Sequence, residues 1–282
     1  MRCGKRCCDA IVLGLSYLEQ ISQHYLQAHP LQPANFSPLY YSESWQKEAP
    51  NAFSWPVTLA YFPNLKTALN TQALASFNKT DTLALGLYPV IDSLAWLEKL
   101  LVLGIKTIQL RIKEVPAPEL DSIVAKAAAL GKHYNARLFI NDHWQLAIKH
   151  QCYGVHLGQE DITESNLEAI QQAGLRLGVS THSEYEWLRA ISIQPSYIAM
   201  GTVYPTNTKP AILIGLSNLK NWCQTLAEHY PVVAIGGIKL ENIDIVLNTG
   251  VRSIALVTAI TEAAEYKTAT RLLVAKLESD PA

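Results

Sequence analysis

Two segments, Arg137-Leu138-Phe139-Ile140-Asn141-Asp142-His143 and Gly154-Val155-His156-Leu157-Gly158-Gln159-Glu160-Asp161, decide how this chain folds. Each is a short apolar run of strand length that ends in polar residues, and the stretch Trp144–His150 between them reads as a helix. The polar groups collect just past the carboxyl end of the strand. That is where α/β barrels carry their sites.

The same unit recurs from Leu87 to the C-terminus. Strands are expected at Leu87–Ile91, Thr107–Arg111, Arg137–Asn141, Gly154–Leu157, Arg176–Ser180, Tyr197–Gly201, Val232–Gly236 and Ser253–Val257. Helices are expected at Ser93–Leu103, Pro118–His133, Trp144–His150, Ser165–Ala173, Ser183–Ile191, Asn218–Glu228, Glu241–Asn248 and Glu265–Glu278. An open doubly wound sheet uses the same right-handed units. Polar residues after nearly every strand favour the (β/α)8 TIM barrel, an α/β fold occupying residues 85–282, with residues 1–84 as an N-terminal appendage. In that appendage Ala10–Leu26 has an amphipathic pattern that Pro30-Leu31-Gln32-Pro33 ends.

Composition narrows the partners. With 23 basic and 24 acidic residues among 282, the formal charge is -1, so no cationic surface is expected for nucleic acid or an anionic membrane. No apolar run reaches the roughly 18 to 20 residues of a membrane span, and the basic start Met1–Arg6 is not followed by a secretion signal. A cytoplasmic protein is expected. Cys3, Cys7 and Cys8 fit no four-ligand zinc spacing and read as scattered thiols. Oligomeric state is open, a homo-oligomer included.

Chemistry gathers at the strand ends. Along Gln109-Leu110-Arg111-Ile112-Lys113, alternation sends Gln109, Arg111 and Lys113 to one side and Leu110 and Ile112 to the other. A basic stripe at a barrel mouth suits an anion, or else an internal ion-pair network. Asp142 and Asp161 fall on adjacent strand-end loops, an arrangement that suits Mg²⁺, whose remaining ligands are waters and phosphate oxygens. Each aspartate alone would also serve as a helix N-cap. His156 reads as a hydrogen-bonded core histidine. Ser180 offers a hydroxyl at the mouth and Ser183 a helix cap, with no nucleophile elbow. The stretch Tyr204-Pro205-Thr206-Asn207-Thr208-Lys209-Pro210 has the composition of a phosphate clamp or of a solvated loop, and Gly236-Gly237 with Val257-Thr258 marks the strand ends where many barrels bind phosphate.

Seven segments in this order resemble the thiamine-phosphate synthases: Gly86–Val90, Gln109–Lys113, Asn141-Asp142, Gly154–Asp161, Gly178–His182, Pro205–Lys209 and Ala234–Ile238. The resemblance implies a transferase that joins a pyrimidine diphosphate to a thiazole phosphate and releases diphosphate. It implies Mg²⁺ on Asp142 and Asp161, with Gln109 to Lys113 and Asn141 around the pyrimidine and its diphosphate, Leu110 and Ile112 among them. Arg111, Lys113 and Lys209 would act on the leaving diphosphate, and Ser180 would hold the pyrimidine side. Thr206 and Thr208, with Gly237, Val257 and Thr258 mostly through backbone N–H, would bind the thiazole phosphate, and Asn207 would also contact substrate. Where many relatives carry a second acidic residue after the Asn-Asp pair, this chain has Trp144-Gln145. Asp9–Gly14 with Tyr17-Leu18 resembles the last helix of the hydroxymethylpyrimidine phosphate kinases, which makes the appendage a possible remnant of a fused kinase.

Two other readings use the same barrel. A thiazole tautomerase would tend to carry a histidine before the phosphate loop, and this chain has Thr202 there. A phosphate-ligand sensor would bind without turnover.

Overall fold

The computed structural model describes residues 2–28, 58–62, 75–206 and 212–278; the expected loop residues Asn207, Thr208 and Lys209 lie outside them. Eight parallel strands close a barrel in chain order. They are β1 (Gly86–Ile91), β2 (Thr107–Leu110), β3 (Arg137–Asn141), β4 (Gly154–Leu157), β5 (Arg176–Thr181), β6 (Tyr197–Gly201), β7 (Val232–Ile235) and β8 (Ser253–Leu256), and β8 pairs back onto β1. The expected strands are all present, with ends shifted by at most one residue.

The helices are α1 (Arg2–Ala28), α2 (Leu94–Val102), α3 (Ala117–His133), α4 (Trp144–Lys149), α5 (Asp161–Glu164), α6 (Leu167–Gln172), α7 (Glu184–Ser192), α8 (Gly215–Leu226), α9 (Ile243–Leu247), α10 (Thr258–Thr261) and α11 (Tyr266–Glu278). Single-turn α5 and α10 were not expected, because four residues are too few to show an apolar period. Short polar residues set the starts of the longer ones. Ser93 accepts from Trp96 N ahead of α2, and Ser183 accepts from Glu186 N ahead of α7.

Alternation along the strands divides the apolar side chains into two layers. Leu110, Leu138, Ile140, Val155, Leu157 and Val179 face outward and pack with Leu97, Val124, Ile170, Trp187 and Leu219 of the helices. Facing inward, Tyr88, Phe139, Tyr197, Val233 and Ala255 fill the barrel itself. Two glycines make that filling possible. A Cβ on Gly154 would lie 2.6 Å from the Phe139 ring, and one on Gly178 would lie 2.1 Å from the Tyr197 ring. Two strands thus give up their side chains to admit two aromatic rings, which form a closed floor.

Part of the appendage is held against the barrel. Asp81 receives a two-pronged bond from Arg137 at 2.5 and 2.8 Å, and that guanidinium lowers its carboxyl to about 2. Asn78 donates to Gly174 O and its carbonyl accepts from Ser196 Oγ. The amphipathic stretch expected at Ala10–Leu26 is the longer α1, which packs on α7. There Asp9 Oδ1 accepts from Tyr185 N at 3.0 Å, Val12 is buried, and Phe62 meets Trp187 edge-on at 4.8 Å. Cys7, Cys8, Cys152 and Cys223 are free thiols. Among the described residues no helix is long and apolar enough to cross a membrane.

Gly178→Ala should push the Tyr197 ring off its seat and lower stability by about 1–3 kcal/mol, the usual cost of overpacking. Urea unfolding of the variant checks this, and an unchanged midpoint would contradict the tight seat beneath Tyr197.

Candidate active site

Above the aromatic floor, the carboxyl ends of the strands enclose a cavity of about 690 Å³, a size suited to small ligands. One side is built by β2 to β4. Gln109 and Asn141 are buried inward positions of β2 and β3, and Arg111, Lys113, Asp142 and Asp161 line the cavity from the loops just beyond. The opposite side is built by Thr206, Gly237, Val257 and Thr258, from the loops after β6, β7 and β8. Ser180 completes the wall at the end of β5. Leu110 and Ile112 are the exceptions among the described expected residues: both side chains are buried in the outer layer, so only their backbone groups can face the mouth.

The two aspartates sit close enough to feel each other. Burial raises the pKa of Asp142, and the charge of Asp161 raises it further, against weaker pulls from Asn141, His143 and Arg111. Neither caps a helix in the ordinary way. His143 is the residue that precedes α4, while Asp161 Oδ2 turns back to accept from Gly158 N at 3.0 Å. Asp142 also has a φ of +62°, a conformation that few residues other than glycine, asparagine and aspartate adopt readily. A part-buried carboxylate beside a second one is a site that a cation would relieve. The donors are hard oxygens, and two carboxylates leave positions for water and phosphate, so the residues fit Mg²⁺. Among the described residues no group of three or more His, Cys, Asp or Glu forms a closed metal cluster.

Beneath them runs a line of hydrogen bonds. Gln109 Nε2 is 3.5 Å from Tyr88 Oη, which is 2.7 Å from Tyr197 Oη. Tyr197 Oη is 2.7 Å from His156 Nδ1, and His156 Nε2 is 2.7 Å from Ser180 Oγ. His156 is therefore the bonded core histidine its place in the strand suggests. Around Ser180 the wall is braced from outside: Gln159 Nε2 donates to Ser180 O at 2.8 Å, and Arg189 donates to Gln159 O at 2.9 Å. Buried Glu186 accepts from both the backbone N–H and the ring of His182, each at 2.8 Å.

The far side has the features of a phosphate seat. Gly236 and Gly237 have φ of +104° and +63°, and a Cβ on Gly237 would lie 2.7 Å from Pro205 O. The loop after β6 is thereby drawn against the loop after β7, with Tyr204 N donating to Gly236 O at 3.0 Å. Thr258 opens α10 at the end of β8, the position of the short extra helix used for phosphate in many barrels.

Tyr88, Tyr197, His182 and Lys239 also line the cavity, and sequence reasoning gave none of them a role. The tyrosines were hidden because both lie in apolar strands. The inward glycine at 178, paired with Tyr197 across β5 and β6, was the available signal.

A profile of the family described as thiamine monophosphate synthase matches residues 87–260. This chain belongs to that family. The thiamine-phosphate synthase of Salmonella paratyphi B is 58% identical over 193 residues, covering 68% of this chain and 91% of the relative. The Klebsiella pneumoniae thiamine-phosphate synthase matches equally, 58% over 193 residues with the same coverage. Among solved structures, a thiamine phosphate pyrophosphorylase from Pyrococcus furiosus superposes with a TM-score of 0.62 at 33% identity, covering 69% of this chain and 96% of that one. Family membership thus rests on the barrel, and the appendage lies largely outside it.

The raised pKa of Asp142 fixes the sign of a pH effect. A carboxyl whose folded pKa lies above its unfolded one stabilises the fold only while protonated, and that contribution is lost as pH rises through the folded value. At neutral pH without divalent cations, Asp142→Asn should therefore melt higher than the parent, and the gap should close on acidification into the carboxylate range. Thermal unfolding across pH checks this; a lower melting temperature at neutral pH would contradict the strained pair.

Proposed function

We propose that the chain joins 4-amino-2-methyl-5-hydroxymethylpyrimidine diphosphate to 4-methyl-5-(2-phosphooxyethyl)thiazole. The products are thiamine phosphate and diphosphate. The observation that carries this reading is a single cavity with two anion-handling sides, the basic and acidic end of β2 to β4 and the glycine-lined end of β6 to β8. Two phosphorylated substrates meeting in one place require that layout.

In the reaction, the bond from the pyrimidine methylene carbon to the diphosphate oxygen breaks with its electron pair going to diphosphate. The thiazole nitrogen lone pair then forms the new bond to that carbon. Little covalent work falls to the protein. Its task is to neutralise the leaving diphosphate and to hold the two rings in line. Arg111 and Lys113 meet the diphosphate from β2, and we assign Lys209, outside the described residues, to the same charge. Gln109 and Asn141 orient the pyrimidine. Asp142 and Asp161 would hold Mg²⁺, which supplies further positive charge for the departing diphosphate. Thr206, Gly237 and Thr258, with Asn207 and Thr208 of the undescribed loop, hold the thiazole phosphate. We further place this activity in the cytoplasm, a reading supported by the free thiols Cys7, Cys8, Cys152 and Cys223 among the described residues. The tautomerase alternative lacks its base, since Thr202 carries none.

Incubation of the protein with both substrates and Mg²⁺, followed by mass spectrometry, should yield thiamine phosphate and diphosphate in equal amounts. Chelation of divalent cations should abolish turnover, and Asp142→Asn should cut it by roughly 100-fold, the scale of losing one strong electrostatic stabiliser. Folded protein that binds the substrates without forming product would establish the sensor reading instead.

A further inference from the structure

The hydrogen-bonded line under the cavity has a direction, and that direction decides what its open end offers. Gln109 sets it, because an amide nitrogen carries only protons to give. At 3.5 Å that nitrogen donates to Tyr88 Oη, so the Tyr88 proton goes onward to Tyr197 Oη at 2.7 Å. Tyr197 then donates to His156 Nδ1, also at 2.7 Å. A neutral imidazole that accepts at Nδ1 carries its proton on Nε2, and that proton is donated to Ser180 Oγ at 2.7 Å. The reverse polarity would point the Tyr88 proton back at the amide that already donates to it, in a side chain only 1% exposed. A buried hydroxyl without an acceptor is costly. Burial also holds both phenol pKa values well above their ordinary range, so each tyrosine keeps the proton it donates.

We propose that Tyr197 is a positioning residue: by donating to His156 Nδ1 it holds the imidazole as the Nε2–H tautomer, which leaves the Ser180 proton to be donated into the cavity, to an acceptor atom of the pyrimidine diphosphate. The identity of that substrate rests on the function proposed above. Two chemical consequences follow. Ser180 accepts from the histidine instead of donating to it, so His156 does not activate the serine as a nucleophile. And the wall at Ser180 selects for an acceptor, either a ring nitrogen or a diphosphate oxygen. Gly178 belongs to the same device, since its missing side chain is what lets the Tyr197 ring reach the line.

Nitrogen-15 NMR of His156 in the free protein tests the tautomer whether or not the enzyme reading holds. The parent should show protonated Nε2 and bare Nδ1. Tyr197→Phe should move the proton towards Nδ1, whereas Tyr88→Phe, which leaves the Tyr197 bond to the ring in place, should not. Nδ1–H in the parent would overturn the proposal by showing the line reversed, and it keeps the test open even if Tyr197→Phe fails to fold. A switch in Tyr88→Phe would overturn it too. With substrates, Tyr197→Phe and Ser180→Ala should each lower kcat/KM for the pyrimidine diphosphate by about tenfold, with the double variant no worse than either single one; additive losses would show that the two residues act separately. Affinity for inorganic diphosphate then assigns the acceptor: a loss in Ser180→Ala places it on the diphosphate, and an unchanged value on the pyrimidine ring.

Discussion

A closed barrel of eight strands must fill its own interior, and here the filling is done by Phe139 and Tyr197 set into the gaps at Gly154 and Gly178. Everything functional stands on that floor. Because the lower interior is occupied by rings, inward positions nearer the carboxyl ends of the strands are freed from packing and carry Gln109, Asn141, His156 and Ser180. Burying such groups is costly unless each finds a partner. The tyrosine hydroxyls at the top of the floor supply partners to Gln109 and His156, so the same rings that close the barrel also orient the polar layer above them.

Charge is then arranged around this layer rather than within it. Asp142 and Asp161 on the β3 and β4 loops face the same cavity as Arg111 and Lys113 on the β2 loop. Burial and the charge of Asp161 raise the cost of ionising Asp142, which leaves the pair poised for a cation; Arg111 and Lys113 are poised for an anion. A diphosphate chelating Mg²⁺ would satisfy both demands at once. Across the cavity the lining comes from Gly236 and Gly237, whose positive φ values bring backbone to the surface, with Lys239 close behind them.

The sequence made the barrel legible because each βα unit carried its own apolar run and polar ending, and such local signals survive packing. It also named most of the candidate residues that line the cavity, since a residue just past a strand end in a barrel has few other places to go. The buried floor was not legible. Tyr88 and Tyr197 look like ordinary strand residues, and only the register that sets Gly178 beside Tyr197 reveals why a ring fits there. Leu110 and Ile112 show the opposite limit: they belong to a functional segment in sequence, yet alternation turns their side chains into the helix-facing layer. The appendage has no repeating unit, so its docking through Asp9 and Phe62 onto α7 emerges only from the three-dimensional contacts.

The central claim is that two carboxylates over an aromatic floor hold the metal that meets the diphosphate. Manganese(II), which shares the preference of magnesium for an octahedron of oxygens, gives the most direct test through electron paramagnetic resonance. With inorganic diphosphate present, the parent should bind one ion per chain, and the Asp142→Asn, Asp161→Asn double variant should lose that binding while staying folded. Equal binding by the two proteins would contradict the account.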